Sequence, residues 1–292
     1  MKRLRTVETS FKGSDFYMVG DGFRVSQYFP SNRNILLRFS PFILLNYNAP
    51  FYFEPSNLKL GVGAHPHRGF EIVTIPYAGY VKHKDNKGHS GVIGPYDVQW
   101  ITAGSGMLHK EYHEKEFTKK GGVLHMVELW INLPYRNKMT HPKYQFLSKS
   151  SIGTHILDEN YGEIQVIAGE ALGTKGPAKT FSKINLYNVY LRNFGKVTLN
   201  EPSNFNTGIL IVDGNLVVNN KMYLENDFLI FDNVRGDIQI ESLTESSLFL
   251  VLSGESIREP VVFDGPFVLA TEEDLLKAYD DFDKGRFGSF EF

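Results

Sequence analysis

Cysteine is absent from this chain of 292 residues, and the absence limits the chemistry that the protein can perform. Without thiols there are no disulfides, no thiolate metal ligands and no cysteine nucleophile. A transition-metal site would have to be built from imidazole, carboxylate and water.

An excess of charge of either sign is also missing, because 31 Lys and Arg residues oppose 33 Asp and Glu residues. The sequence pI near 6.5 gives no general reason to expect direct nucleic acid binding, so a small molecule or a protein partner is favoured. No stretch is apolar for long enough to cross a bilayer, and the basic N-terminus is not followed by the apolar segment of a signal peptide. We therefore expect a cytoplasmic protein with no membrane contact.

What the sequence does contain is a series of short apolar or alternating segments separated by Gly, Pro, Asn and Asp. They include NILLRF at 34–39, GFEIVTIPY at 69–77, MVELWINL at 126–133, GEIQVIAG at 162–169, INLYNVYL at 184–191 and SLFLVLSG at 247–254. Such segments with turn signals between them predict an all-β fold of sandwiches or barrels. One hairpin is also predicted, from residues 209–212 through the turn Asp213-Gly214 to residues 216–218.

Only the C-terminus has a strongly helical pattern. Thr271 is a good N-cap with Asp274 at the reciprocal position, apolar residues follow at helical spacing, and Gly285 supplies a stop. The pattern predicts a helix over about 271–285. The segment 132–145, with two prolines and a basic cluster, is a candidate domain junction, so we expect domains at 1–138 and 139–292, the second including the helix.

The candidate site lies in the first half, because all nine histidines stand at or before position 155. In a strand alternate side chains face the same way, about 6.6 to 7 Å apart, so His65 and His67 can close on one ion. His109 and Glu111 repeat the spacing, and the four residues suit Fe(II), Mn(II), Ni(II), Cu(II) or Zn(II). Glu71 has the same strand parity as His67, so spacing leaves it open as the carboxylate ligand.

The remaining polar residues around these segments have simpler interpretations. His83 and His89 are expected in a solvated loop, and His113 at the pocket mouth or on the surface. The lysines from Lys110 to Lys120 are expected to form a solvated face. Core or pocket-wall positions are predicted for Phe70, Trp100 and Met107.

Several segments carry a resemblance to a known family along nearly the whole chain. HPHRGFE, GHSGVIGPYDVQWITAGSGMLHKE, ELWINLP and SGESIREPVVFDGPFVLATEEDL closely resemble the pirin family of the cupin superfamily, in that order. The resemblance implies a bicupin, with two antiparallel β-barrel (jelly-roll) domains, a metal in the first barrel and none in the second. It places the ligands at His65, His67, His109 and Glu111, and leaves Glu71 to orient an imidazole or to serve as an ordinary strand residue.

The same resemblance implies an activity. Members of the pirin family open the heterocycle of flavonols such as quercetin with dioxygen, and release carbon monoxide. The implied cofactor is one divalent transition metal, with Fe(II) leading and Ni, Mn, Cu, Co or Zn as alternatives. Glu111 would then accept the proton of the flavonol hydroxyl. A second hypothesis is an iron-dependent regulator that binds transcription factors or metabolic enzymes, and a third is a catalytically silent cupin that keeps its metal for stability.

Two departures from the family pattern leave the substrate open. Glu128 stands in ELWINLP where many pirins have glutamine, and would add a carboxylate near the barrel if it points inward. The segment SPFILLNYNAP at 40–50 replaces a stretch that reads closer to DPFLLLDHFGP in many relatives.

Overall fold

The computed structural model describes residues 3–30 and 33–290, and their contacts divide the chain into two compact units. The first barrel consists of residues 15–30, 42–149 and 257–290, and the second of residues 3–14, 33–41 and 150–256. In the described part of the chain no helix is both long and apolar enough to cross a membrane.

The first barrel is formed by a larger and a smaller antiparallel sheet. In spatial order, the larger sheet contains Lys143–Leu147, Val98–Thr102, Phe70–Ala78, Gly122–Asn132, Phe42–Phe53, Phe23–Phe29 and Tyr17–Val19. The smaller sheet contains Gly61–His67, Met107–His113, Val81–Asp85 and Ser90–Ile93. Two further strands, Val262–Asp264 and Phe267–Leu269, pair with each other. Buried apolar residues such as Val81 and Met126 form a core between the sheets.

The second barrel repeats this arrangement. Its larger sheet contains Val7–Phe11, Phe228–Phe231, Phe205–Asp213, Ser246–Glu255, Ile184–Arg192, Gly162–Ala168 and Gly153–Ile156. Its smaller sheets contain Lys196–Leu199, Ile238–Ser242, Leu216–Val218 and Lys221–Tyr223, and the pair Glu170–Ala171 and Thr174–Lys175. Its apolar core is built from inward-facing strand residues such as Ile209, Phe231 and Phe249. Two antiparallel barrels are thus confirmed.

Helices are short in the described residues. The α-helices are Arg33–Arg38, Lys115–Lys120 and Glu272–Asp283, and the 3-10 turns are Tyr135–Asn137, Lys149–Ser151 and Asp158–Asn160. The predicted C-terminal helix is confirmed, since Thr271 Oγ1 accepts from the Asp274 backbone N–H and Gly285 adopts φ +68°. Its residues Leu275 and Ala278 pack against Phe267 and Leu269.

Two local predictions are wrong. The segment NILLRF is helical instead of extended: Leu36 and Phe39 are buried while Leu37 is 53% exposed, which is helical spacing. The predicted hairpin after residue 209 does not form. Phe205–Asp213 pairs within the larger sheet and Leu216–Val218 within the smaller one, so the Asp213-Gly214 turn moves the chain from one sheet to the other.

The grouping of segments also differs from the expected domains at 1–138 and 139–292. The first strand of the chain, Val7–Phe11, pairs with Phe228–Phe231 and so belongs to the second barrel. The C-terminal helix belongs to the first barrel, where Arg68 Nη1 donates to Asp281 Oδ2 at 2.8 Å and both side chains are buried. Lys138 Nζ, also buried, donates to the carbonyls of Gly69 and Val268. These polar contacts fix the C-terminal segment to the barrel that contains His65, His67 and His109.

Candidate metal centre and its cavity

Strand pairing brings the two histidine segments together. In the antiparallel pair of Gly61–His67 and Met107–His113, His65 is the register partner of His109, and His67 that of Met107. The register shifts by one residue between His109 and Glu111, which is a β-bulge. The histidines are therefore cross-strand neighbours, and the bulge sets the position of Glu111 separately.

The three imidazoles of His65, His67 and His109 form a compact cluster. Their ring centroids lie 4.8 Å apart for His65 and His67, 4.3 Å for His65 and His109, and 4.7 Å for His67 and His109. One ring nitrogen from each lies within 4.8 Å of the others, so the group could hold a metal ion. This separation suits three donors converging on one ion at roughly 2.0 to 2.1 Å.

Hydrogen bonds and burial prepare these rings for coordination. His65 Nδ1 donates to the Gly63 carbonyl at 2.8 Å, and His67 Nδ1 to the Pro266 carbonyl at a long 3.4 Å, which leaves each Nε2 with its lone pair. Burial lowers the pKa of His65, and lowers the pKa values of His67 and His109 well below the ordinary value. The neutral imidazole is the form that binds a metal.

His109 carries the clearest sign of a missing partner. It is 1% exposed, and neither of its ring nitrogens has a hydrogen-bond partner among the described residues. A buried polar group without a partner costs free energy, and such groups are rare in folded proteins. A metal ion bound to the unprotonated ring nitrogen of His109 would remove part of that cost.

Glu111 stands beside this cluster. Its carboxylate is buried, and Oε1 accepts from Gln99 Nε2 at 2.8 Å. Burial raises its pKa, and the neighbouring charge of Glu128 raises it further. With His83 and His109 it forms a second group whose donor atoms lie within 4.8 Å of one another. The two groups share His109.

His83 corrects the expectation of a solvated loop. It is fully buried in Val81–Asp85, where it is the register partner of Glu111, and its Nε2 lies 3.4 Å from Asp85 Oδ2. His89 fits the expectation better, since its side chain is 37% exposed while Nδ1 bonds Asp85 Oδ2 at 2.8 Å. The alternation in VKHKD predicts a strand with Val81, His83 and Asp85 on one face, and so could have indicated that His83 is buried.

His113 is also more buried than expected. It is 4% exposed, packs against Phe23, Phe53 and Phe117, and donates from Nε2 to the Gly22 carbonyl at 2.6 Å. It shares strand parity with His109 and Glu111, and so points to the same interior face.

Glu71 lies outside both histidine groups. Its carboxylate is fully buried, and Oε1 accepts from Trp100 Nε1 at 3.0 Å and from Thr102 Oγ1 at 2.8 Å. Phe70, Trp100 and Met107 are buried, as predicted.

A cavity of about 350 Å³ opens beside the imidazoles. Its lining comprises Val19, Phe23, Val25, Asn46, Asn48, Val62, His65, His67, Glu111, Met126, Glu128, Trp130, Gly265 and Pro266. Glu128 points inward, since it lines this cavity, and Oε1 accepts from Trp130 Nε1 at 2.6 Å. Burial raises the pKa of Glu128. Asn46 Oδ1 and Asn48 Nδ2 have no hydrogen-bond partner within the described residues.

A turn that contains Gly104 precedes the strand that contains His109. Gly104 adopts φ +51°, and a Cβ at this position would lie 2.1 Å from the Thr140 carbonyl oxygen. Its own carbonyl accepts from the Gly69 backbone N–H at 2.9 Å. This tight turn therefore requires glycine for both backbone conformation and space.

Comparison with known proteins places these features in a family. A family model described as Pirin matches residues 22–131, and one described as Pirin C-terminal cupin domain matches residues 186–288. "Putative quercetin 2,3-dioxygenase PA2418" of Pseudomonas aeruginosa is 42% identical over 97% of this chain and 99% of its own length. "Pirin-1" of Arabidopsis thaliana is 36% identical over 85% of this chain and 83% of its own length.

A solved structure extends the similarity to three dimensions. The crystal structure of a quercetin 2,3-dioxygenase from Acinetobacter baumannii shares 40% identity with this chain. It superposes with a TM-score of 0.94 over 99% of this chain and 100% of its own. The predicted bicupin fold is confirmed.

Proposed function

Since this chain belongs to the pirin family, we propose that it is a metal-dependent dioxygenase that opens the heterocyclic ring of flavonols such as quercetin. The convergence of three imidazoles, two of which (His65 and His67) line a cavity, is the observation that carries this proposal. The names "Putative quercetin 2,3-dioxygenase PA2418", of a relative, and quercetin 2,3-dioxygenase, of a solved structure, support it.

His65, His67 and His109 would hold the metal, and Glu111 would be the fourth ligand. The donor set fits a divalent transition metal, since it combines neutral nitrogen with a carboxylate and includes His109, whose ring nitrogens have no other partner among the described residues. Fe(II) is the leading candidate, with Ni, Mn, Cu, Co and Zn as alternatives. When bound, the metal would act as a Lewis acid toward the substrate hydroxyl and support reaction with dioxygen.

The cavity walls suit a flat aromatic molecule with several hydroxyl groups. Phe23, Met126 and Trp130 supply apolar surface. Asn46 and Asn48 add polar side chains to the same wall, and amide groups can hydrogen-bond a polyhydroxylated ligand. These asparagines lie in the segment that departs from the family pattern, so they are candidates for substrate selection.

Glu111 would accept the proton of the substrate hydroxyl. Gln99 holds its Oε1, which orients the carboxylate, and burial together with the charge of Glu128 raises its pKa toward a value at which proton transfer is efficient. Glu128 faces the same cavity and provides a second carboxylate close to the reacting group.

The test is oxygen consumption with quercetin by protein loaded anaerobically with Fe(II), together with detection of carbon monoxide. We expect turnover in the wild-type protein and none in His109→Ala. Absence of oxygen uptake by protein with a complete iron complement would remove the dioxygenase proposal and leave the regulatory hypothesis.

A further inference from the structure

A second cavity lies where the strand Met107–His113 ends, beside residues 56–59 and the helix Lys115–Lys120. Burial alternates along Met107–His113 and Val81–Asp85, so that odd-numbered residues face the interior. Lys82 and Tyr112 are register partners on the opposite side, where Lys82 is exposed. These strands therefore have an imidazole-bearing inner face and a basic outer face.

The cavity at the end of the strand Met107–His113 has a volume of about 320 Å³. Four lysines line it, namely Lys59, Lys82, Lys115 and Lys119, while no Asp or Glu does so in the described part of the chain. Its size lies within the range of small-molecule sites. The lining points to an anionic ligand.

Most of this positive charge is not neutralised by the protein. Within residues 3–30 and 33–290, Lys59, Lys82 and Lys115 make no salt bridge, whereas Lys119 pairs with Glu116 at 3.0 Å. The Lys59 ammonium lies 3.7 Å from the centre of the Tyr112 ring, which holds it at the cavity. Burial lowers the pKa of Lys59, and the charges of neighbouring lysines lower it further. An anion would relieve this repulsion.

A buried histidine forms part of the cavity wall. His113 lines this cavity, is 4% exposed, and uses Nε2 to donate to the Gly22 carbonyl. Its Nδ1 has no hydrogen-bond partner among the described residues. This nitrogen is itself enclosed by protein, so the lysines are the charged groups that a ligand in the cavity would contact.

We propose that this cavity binds a small phosphorylated anion. A phosphate group carries up to two negative charges and several acceptor oxygens, which matches several ammonium groups around one concave site. The nearly neutral chain as a whole, with a net charge of −2, does not favour a nucleic acid as the occupant. Both a free phosphorylated metabolite and a phospholipid headgroup have this chemistry.

The proposal can be tested by isothermal titration of the whole, metal-loaded protein with inorganic pyrophosphate at 150 mM salt. The variant Lys82→Gln/Lys115→Gln removes two charges from the cavity lining. The matched control Lys84→Gln/Lys120→Gln removes two charges from the same strand and the same helix but outside the lining. Circular dichroism and thermal unfolding establish that both variants are folded.

We expect one pyrophosphate per chain, binding at least about tenfold weaker in the cavity variant and less than about threefold weaker in the control. An equal loss of pyrophosphate affinity in both variants would indicate a diffuse basic surface. Equal pyrophosphate affinity in wild type and both variants would indicate chelation at the metal. Either result overturns the proposal, and so does the absence of pyrophosphate binding. Sedimentation with phosphatidylglycerol vesicles distinguishes a phospholipid headgroup from a free phosphorylated metabolite. Binding to vesicles that pyrophosphate displaces assigns the site to a headgroup, while binding of pyrophosphate alone assigns it to a free metabolite.

Discussion

His65 and His109 are register partners on neighbouring antiparallel strands, and their ring centroids lie 4.3 Å apart. The pairing is a consequence of the barrel, since 43 residues separate them in the sequence. Cross-strand partners have Cβ atoms about 4.5 to 5.5 Å apart, so the register of a single strand pair determines whether the imidazoles can share an ion.

His109→Ala should remove the metal. His109 belongs to both candidate groups, so its loss leaves no described group of three donors intact. Elemental analysis of protein purified without added metal should give near-complete occupancy for wild type and almost none for the variant. His89→Ala is the matched control, because His89 is partly exposed and lies outside both groups. A full metal complement in His109→Ala would contradict the ligand assignment.

The two carboxylates Glu71 and Glu111 should respond differently to the same substitution. Glu71→Gln keeps an acceptor oxygen for Trp100 and Thr102, so we expect metal affinity to be retained and the free energy of unfolding to fall by about 1 kcal/mol. Glu111→Gln removes a proposed ligand and should weaken metal binding at least about 100-fold. Competition with a chromogenic chelator measures affinity, and urea unfolding measures stability. Equal metal affinity in the two variants would reject Glu111 as the ligand.

In the metal-free protein, the stability that Glu111 and Glu128 contribute should fall as the pH rises from the ordinary glutamate pKa upward. Burial raises the pKa values of Glu111 and Glu128, so in this window the folded state binds more protons than the unfolded state. Each carboxyl contributes a loss of up to about 1.4 kcal/mol per pH unit. Stability from these groups is thus present at low pH and lost as the pH rises through the raised values.

Urea unfolding from pH 5 to pH 9 measures this dependence, with Glu128→Gln as the test variant and the exposed Glu170→Gln as the control. Glu128→Gln should become more stable relative to wild type as the pH rises, because it removes one carboxyl and lowers the pKa of the other. An unchanged profile in Glu128→Gln would show that the pair does not control stability.

Gly104→Ala should destabilise the first barrel by about 3 kcal/mol or more. The substitution strains a positive φ and sets a Cβ against the Thr140 carbonyl oxygen. Gly88→Ala is the control for strain alone, since Gly88 has φ +95° and nothing within 4 Å of the added Cβ, and it should cost about 1 to 2 kcal/mol. The difference in urea midpoints between the two variants isolates the steric part. A similar cost for both would mean that close packing at Gly104 is unimportant.

Much of the fold can be predicted from local sequence patterns. The strands at 69–77, 162–169 and 184–191 were found by their apolar content, and the C-terminal helix by its N-cap at Thr271. The strand prediction for NILLRF is wrong because a short apolar segment does not distinguish a buried strand from a helix. The false hairpin at Asp213-Gly214 arose because a turn sequence does not reveal which sheet the next strand will join.

The sequence by itself determined which donors share a strand face, because strand parity is a local property: His65 with His67, and His109 with Glu111, face the same way in any extended chain. Tertiary structure decided which of them meet, through the pairing of His65 with His109 and the bulge before Glu111. It also brought His83 into contact with the cluster and set Glu71 against Trp100. Register between distant strands depends on the packing of a whole barrel, and no window of sequence contains that information.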